Sequence, residues 1–171
     1  MNQFVLAITG PTGSGKTTVS ECIAKKLDRC VNIDADHIKH MIVSGFYKDE
    51  TNAGGWGFNQ WGLVGSSIGI LATNFLKNGY SVIINGYLDE PAWSQIQECV
   101  EINCRVLLLP NLKSLIQRDA ERPSEITMGE PSVRQHFEAF SEESFYDDFA
   151  RLDTSNQDVE ETAEDILKLI S

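Results

Sequence analysis

At 171 residues and 42% hydrophobic content, the chain is long enough for one compact domain with a sizeable core and too short for two of ordinary size. A net charge of −11 excludes the basic surface that nucleic acid or an anionic membrane requires, so neither is expected as a partner. No apolar run approaches the roughly 18 residues of a membrane span, and the first is too short for a signal-peptide core, so the expected location is cytoplasmic.

Phe4–Ile8 is a short apolar run suited to a buried strand, and Lys16–Leu27 repeats apolar residues at the spacing of a helical face. Cys30–Ile33 reads as a second strand, followed by a short helix from Asp34 to about Val43. A longer helix spans Gln60–Lys77, a third strand Ser81–Asn85, and Pro91 after Asp89-Glu90 opens the next helix. A fourth strand, Arg105–Leu109, is followed by a helix that begins after Asn111, a natural N-cap. Residues 121–131 are polar and bracketed by prolines, the composition of a mobile lid, and the lid region is expected at about 118–134. Ala150–Asp153 reads as a short edge strand, and Asp158-x-x-Glu161 opens a final helix in the manner of a capping box. Strand and helix alternate, which predicts a parallel sheet covered on both faces within a single domain over residues 1–171.

Between the first strand and the first helix lies Gly10-Pro11-Thr12-Gly13-Ser14-Gly15-Lys16-Thr17, which fits G-x-x-x-x-G-K-[ST] at every constrained position. Glycines let the backbone wrap a polyphosphate with its N–H groups turned inward, Lys16 reaches the β/γ-phosphates, and the Thr17 hydroxyl coordinates Mg²⁺. With Thr18 these residues form the expected binding site for a nucleoside triphosphate, and the helix N-terminus adds partial positive charge.

The second strand ends in Asp34-Ala35-Asp36, two carboxylates one residue apart where ligands of parallel sheets collect. Such a pair can divide labour, one holding Mg²⁺ and the other accepting a proton from an attacking hydroxyl; equally, either suits a helix N-cap. Arg118 and Arg122 stand four apart on one predicted helix face leading into the lid, placed to stabilise a phosphoryl group in transit, with surface pairing to Asp119, Glu121 or Glu125 as the alternative. Arg134 follows just beyond.

Taken in order, GPTGSGKT, Asp34-x-Asp36 and Arg118-Asp-Ala-Glu-Arg122 before a lid resemble the small P-loop kinases, in particular gluconate-kinase-like, shikimate-kinase-like and chloramphenicol-phosphotransferase-like proteins. The resemblance covers nearly the whole chain. It implies an α/β P-loop NTPase fold with a five-stranded parallel sheet in the order 2-3-1-4-5, and transfer of the ATP γ-phosphate to a small-molecule hydroxyl. By the same resemblance Asp36 is the base or acceptor-binding carboxylate, Asp34 the partner of Mg²⁺, and Arg118 and Arg122 the lid arginines on ATP; the loop from Thr154 to Gln157 flanks the adenine.

The chain departs from those kinases at Asn85-Gly86-Tyr87, where the third strand lacks the acid of a standard Walker B. It also has neither the glycine triplet nor the arginine set of shikimate kinases, and no arginine at all between Asp36 and Asn85, only Lys39, Lys48 and Lys77, which speaks against strongly anionic acceptors. The acceptor pocket is expected from about residues 35–62, with Tyr47, Trp56 and Trp61, together with Asn85 and Tyr87. Aromatic faces and amides suit a sugar, nucleoside or antibiotic-like polyol.

His37 and His40, three apart on the short helix, fit metal binding or plain solvent exposure. Cys22, Cys30, Cys99 and Cys104 form no C-x-x-C pair and read as reduced thiols. The favoured function is an ATP-dependent small-molecule kinase, monomeric or homodimeric. The alternative is a nucleotide-binding regulatory ATPase or switch without small-molecule transfer; a GTPase is disfavoured because no N-K-x-D guanine-reading motif occurs.

Overall fold

The computed structural model describes residues 3–45 and 60–170. Its strands are β1 (Val5–Thr9), β2 (Cys30–Asp34), β3 (Ser81–Asn85), β4 (Cys104–Leu108) and β5 (Ala150–Leu152), all parallel and ordered β2-β3-β1-β4-β5. The expected α/β P-loop architecture is therefore present. Seven α-helices flank the sheet among the described residues: α1 (Lys16–Lys25), α2 (Ala35–His40), α3 (Gln60–Lys77), α4 (Glu90–Cys99), α5 (Leu112–Ala120), α6 (Glu130–Glu142) and α7 (Val159–Leu169).

The two-residue period of the strands sorts their side chains into two cores. Val5, Ala7, Val82, Ile84 and Leu107 join α3, α4 and the aromatic group Phe140, Tyr146 and Phe149 on one face. Phe4, Leu6, Ile8, Ile83, Val106 and Leu108 face α1 and α7 through Val19, Ile23, Ala163 and Ile166 on the other. Each fully buried Leu or Ile contributes about 1.5–3 kcal/mol, so both faces of the central strands anchor the fold. Helix α3 lies unusually close to α4: a Cβ on Gly65 would collide with the carbonyl oxygen of Ala92.

Local signals set most boundaries. Asp34, Asp89, Asn111 and Asp158 cap α2, α4, α5 and α7 through their side chains, and Asp158 with Glu161 completes a capping box. Helix α2 closes at His40, short of the expected Val43. The larger difference is α6. Residues 130–134 fall in the expected lid region yet begin a regular helix, because Pro131 fits its first turn and Val133 and Phe140 bury one face against the core. The irregular connection is thus confined to residues 121–129.

Candidate nucleotide and acceptor site

All five strands run the same way, so their C-terminal ends share one edge, and the chemistry-bearing residues gather there. Between β1 and α1 the loop takes positive φ at Gly10, Gly13 and Gly15 (148°, 81° and 92°). A Cβ on Gly10 would meet the carbonyl of Leu108 on β4, so glycine is required where the loop leaves the sheet. Gly15 occupies the N-cap of α1 and offers no side-chain acceptor, which leaves first-turn N–H groups for an anion. Beside them the Ser14 hydroxyl is buried without a hydrogen-bond partner among the described residues.

The Lys16 ammonium donates to the carbonyls of Gly10 (2.8 Å) and Pro11 (3.0 Å), folding back over the loop. Burial, opposed by the charge of Asp36 and reinforced by Arg122, pushes its pKa down to about 8. Positive φ, an uncapped helix start and an orphaned hydroxyl leave donors and space unmatched, and among the described residues the Lys16 ammonium meets only neutral carbonyls; the combination fits a polyphosphate.

Thr17 stands at the ends of β2 and β3, its hydroxyl 3.5 Å from Asp34 Oδ2 and 3.4 Å from Asn85 Oδ1. Asp34 takes the capping role through one oxygen and leaves the other beside Thr17. Its Oδ1 caps α2 by accepting from the N–H groups of Asp36 (2.8 Å) and His37 (3.3 Å), while Oδ2 faces Thr17. Among the described residues no three His, Cys, Asp or Glu side chains form a cluster that could hold a metal. A divalent cation at Thr17 and Asp34 would therefore take its remaining ligands from phosphate and water, the usual habit of Mg²⁺.

A cleft of about 440 Å³ opens beside the loop, lined by Gly10, Thr12, Lys16, Asp36, Lys39, Trp61, Tyr87, Met128 and His136. Tyr87 is wedged between Trp61 (ring centroids 5.5 Å) and Phe140 (5.7 Å), and the Lys39 ammonium lies 4.4 Å from the Trp61 ring centre. Thr12 links the loop to the far wall, its hydroxyl 3.0 Å from Met128 Sδ and 3.2 Å from His136 Nδ1. Burial first, then the charge of Lys16, lowers the pKa of His136.

Arg118 runs past Gly13 and donates to the carbonyl of Thr154 at 2.7 Å and its hydroxyl at 3.4 Å, in the turn after β5. Arg122 lies 3.5 Å from Asp119 and close enough to Lys16 to affect its charge. Arg134, by contrast, pairs with Glu130 at 2.8 Å on the surface of α6.

The structure thus brings Lys16, Asp36, Trp61 and Tyr87 into one cleft, with Arg122 near Lys16 and Arg118 turned to Thr154. Tyr47 and Trp56 lie outside the described residues. Asn85, expected in the acceptor pocket, is instead fully buried, with its amide between Thr17 and Asn32, because it ends a central strand rather than starting a loop. Met128 and His136 were not anticipated; the Pro131, Val133 and Phe140 pattern of α6 carries the signal that would have placed His136 one turn before Phe140.

A five-stranded parallel sheet in this order, with a phosphate loop after its central strand, defines a P-loop kinase-like protein. The particular family follows from the sequence: residues 3–102, more than half of the 171-residue chain, match the Zeta toxin family, and the chain belongs to it. No curated protein matches it significantly. Among solved structures it is similar to a tunicamycin resistance protein of Deinococcus radiodurans (13% identity, 99% of this chain and 96% of that one, TM-score 0.73). It is also similar to a gluconokinase of Sinorhizobium meliloti 1021 (16%, 99% and 92%, TM-score 0.68) and to shikimate kinase of Acinetobacter baumannii (20%, 98% and 93%, TM-score 0.62). At these identities the likeness is one of fold.

Proposed function

We propose that the protein is an ATP-dependent phosphotransferase that moves the γ-phosphate of ATP to a hydroxyl of a small molecule. The observation that carries this reading is a single cleft lined by both Lys16 of the phosphate loop and Asp36 from the end of β2. A phosphate-binding cation and an exposed carboxylate facing one cavity are what joint binding of a triphosphate and a hydroxyl requires.

When bound, ATP and Mg²⁺ supply the phosphoryl group and neutralise its charge. The loop from Gly10 to Thr18 holds the phosphates, with Lys16 as the side-chain cation, and Thr17 with Asp34 holds the metal. Asp36, exposed and not engaged in capping α2 through its side chain, accepts the proton that the acceptor hydroxyl loses. Arg118 and Arg122 stabilise negative charge on the phosphoryl oxygens, and the connection 121–129 with α6 excludes water over the loop. Trp61 and Tyr87 offer aromatic faces suited to a sugar, nucleoside or antibiotic-like polyol. Gluconokinase and a sugar kinase among its structural neighbours support a polyhydroxyl acceptor.

The test is a panel of sugars, nucleosides and polyols assayed for ADP release above the background without acceptor. Acceptor-dependent release supports the kinase; ATP hydrolysis indifferent to every acceptor would return the protein to the regulatory ATPase reading.

A further inference from the structure

Four side-chain hydrogen bonds close a ring that starts and ends on Thr17. The Ser20 hydroxyl donates to the Thr17 carbonyl at 2.9 Å, and Asn32 Nδ2 donates to Ser20 Oγ at 3.0 Å. Asn85 Nδ2 donates to Asn32 Oδ1 at 3.0 Å, and the Thr17 hydroxyl lies 3.4 Å from Asn85 Oδ1. Ser20 and Asn85 are fully buried, and none of Ser20, Asn32 and Asn85 lines the cleft.

The direction of this ring is not free. A backbone carbonyl can only accept, so Ser20 must give its one proton to Thr17 and present its oxygen to Asn32. Asn32 must then turn Nδ2 toward Ser20 and Oδ1 toward Asn85. Asn85 must in turn donate to Asn32 at 3.0 Å, with a longer reach of the same nitrogen to the Ile33 carbonyl at 3.5 Å, which leaves its own Oδ1 facing Thr17. Flipping either amide would set oxygen against oxygen or N–H against N–H beside the buried Ser20 and Asn85. The consequence falls on the Thr17 hydroxyl, which meets the acceptors Asn85 Oδ1 and Asp34 Oδ2 and sends its proton inward. Its remaining lone pairs face away from them.

We propose that Asn32 is a positioning residue for the divalent cation: through Ser20 and Asn85 it fixes the direction of the Thr17 proton and so keeps a Thr17 lone pair available to the metal. A neutral amide at position 85 thereby serves the site where a Walker B acid would stand, by orienting the threonine ligand. The inference rests on the nucleotide-site part of the proposed function.

Calorimetry separates the two. The affinity of the non-hydrolysable ATP analogue AMP-PNP is measured with Mg²⁺ and with EDTA, and the ratio gives the gain due to metal. Removal of such an outer partner typically costs 10–100-fold in metal affinity. Asn32→Leu is therefore expected to cut the gain by about tenfold or more, while metal-free AMP-PNP affinity stays at the wild-type value. Ser20→Ala, which frees the Asn32 amide to flip, is expected to reduce the gain, and serves if Asn32→Leu does not fold.

Wild-type gain in both Asn32→Leu and Ser20→Ala, or equal losses with and without metal, would overturn the positioning role alone. A wild-type protein without any metal-dependent gain would overturn the nucleotide site itself. Binding with gain but no transfer to any acceptor would refute only the kinase activity.

Discussion

The carboxylate of Asp119, buried at the end of α5, accepts a 2.9 Å hydrogen bond from the backbone N–H of Gly129, the residue that opens α6. It also accepts from Met128 N–H at 3.1 Å, so the C-terminal end of the 121–129 connection is tied back to the end of α5 by one side chain. Arg122 and Met128, which approach Lys16 and Thr12, depend on the same anchor.

Asp119→Ala leaves those two N–H groups without their acceptor; Met128 is exposed and Gly129 half-buried, so water replaces part of the bond and the expected cost is about 1 kcal/mol. Asp119→Asn, which keeps one carbonyl oxygen, is expected to cost less. Urea denaturation of the two variants checks this; an alanine variant within ~0.5 kcal/mol of wild type would mean the anchor is dispensable.

Lys16 gives a pH signature. Its folded pKa, about 8 against an ordinary 10.5, means that the folded protein disfavours the charged form. Below pH 8 the ammonium is charged in folded and unfolded chains alike, and the full penalty falls on the fold. Between pH 8 and 10.5 the folded chain loses the proton first and the penalty fades. Ligand-free Lys16→Met is therefore expected to be more stable than wild type at pH 7, with the difference shrinking as pH rises through that window. Bound phosphate restores the proton, so nucleotide binding near pH 8 is expected to take up protons in wild type and not in Lys16→Met. Calorimetry in two buffers of different ionisation enthalpy reads this directly, and equal uptake in both proteins would contradict it.

Arg118 and Arg122 are expected to act on charge that develops during transfer. Their alanine variants should lose kcat more than acceptor affinity. Wild-type kcat with a raised acceptor KM in both would assign them to acceptor binding instead. Arg134→Ala, removed from an exposed pair with Glu130, is expected to change stability by no more than about 0.5 kcal/mol and to leave turnover alone.

How far the sequence could be read follows from the range of the interactions involved. The phosphate loop, the strands and the caps at Asp34, Asp89, Asn111 and Asp158 are written in residues a few positions apart. Helix α6 was obscured because its start overlaps the proline-bracketed polar stretch, although Val133 and Phe140 already lay on one face. Asp119 looked like a surface partner for Arg122, since nothing local shows that Met128 and Gly129 return to bury it. Asn85 looked like a pocket amide for the same reason: its partners Thr17 and Asn32 come from distant segments joined only by the sheet. Only the packed fold shows which polar residues turn inward.

The most direct measurement of the central claim compares Asp36→Asn with wild type in acceptor-dependent ADP formation and in nucleotide affinity. The substitution keeps shape and hydrogen-bonding capacity but removes the proton acceptor. Nucleotide affinity is expected to stay near wild type while transfer falls by on the order of 10²–10⁴-fold, the range for a lost general base. An Asp36→Asn protein that transfers phosphate at the wild-type rate would contradict the account.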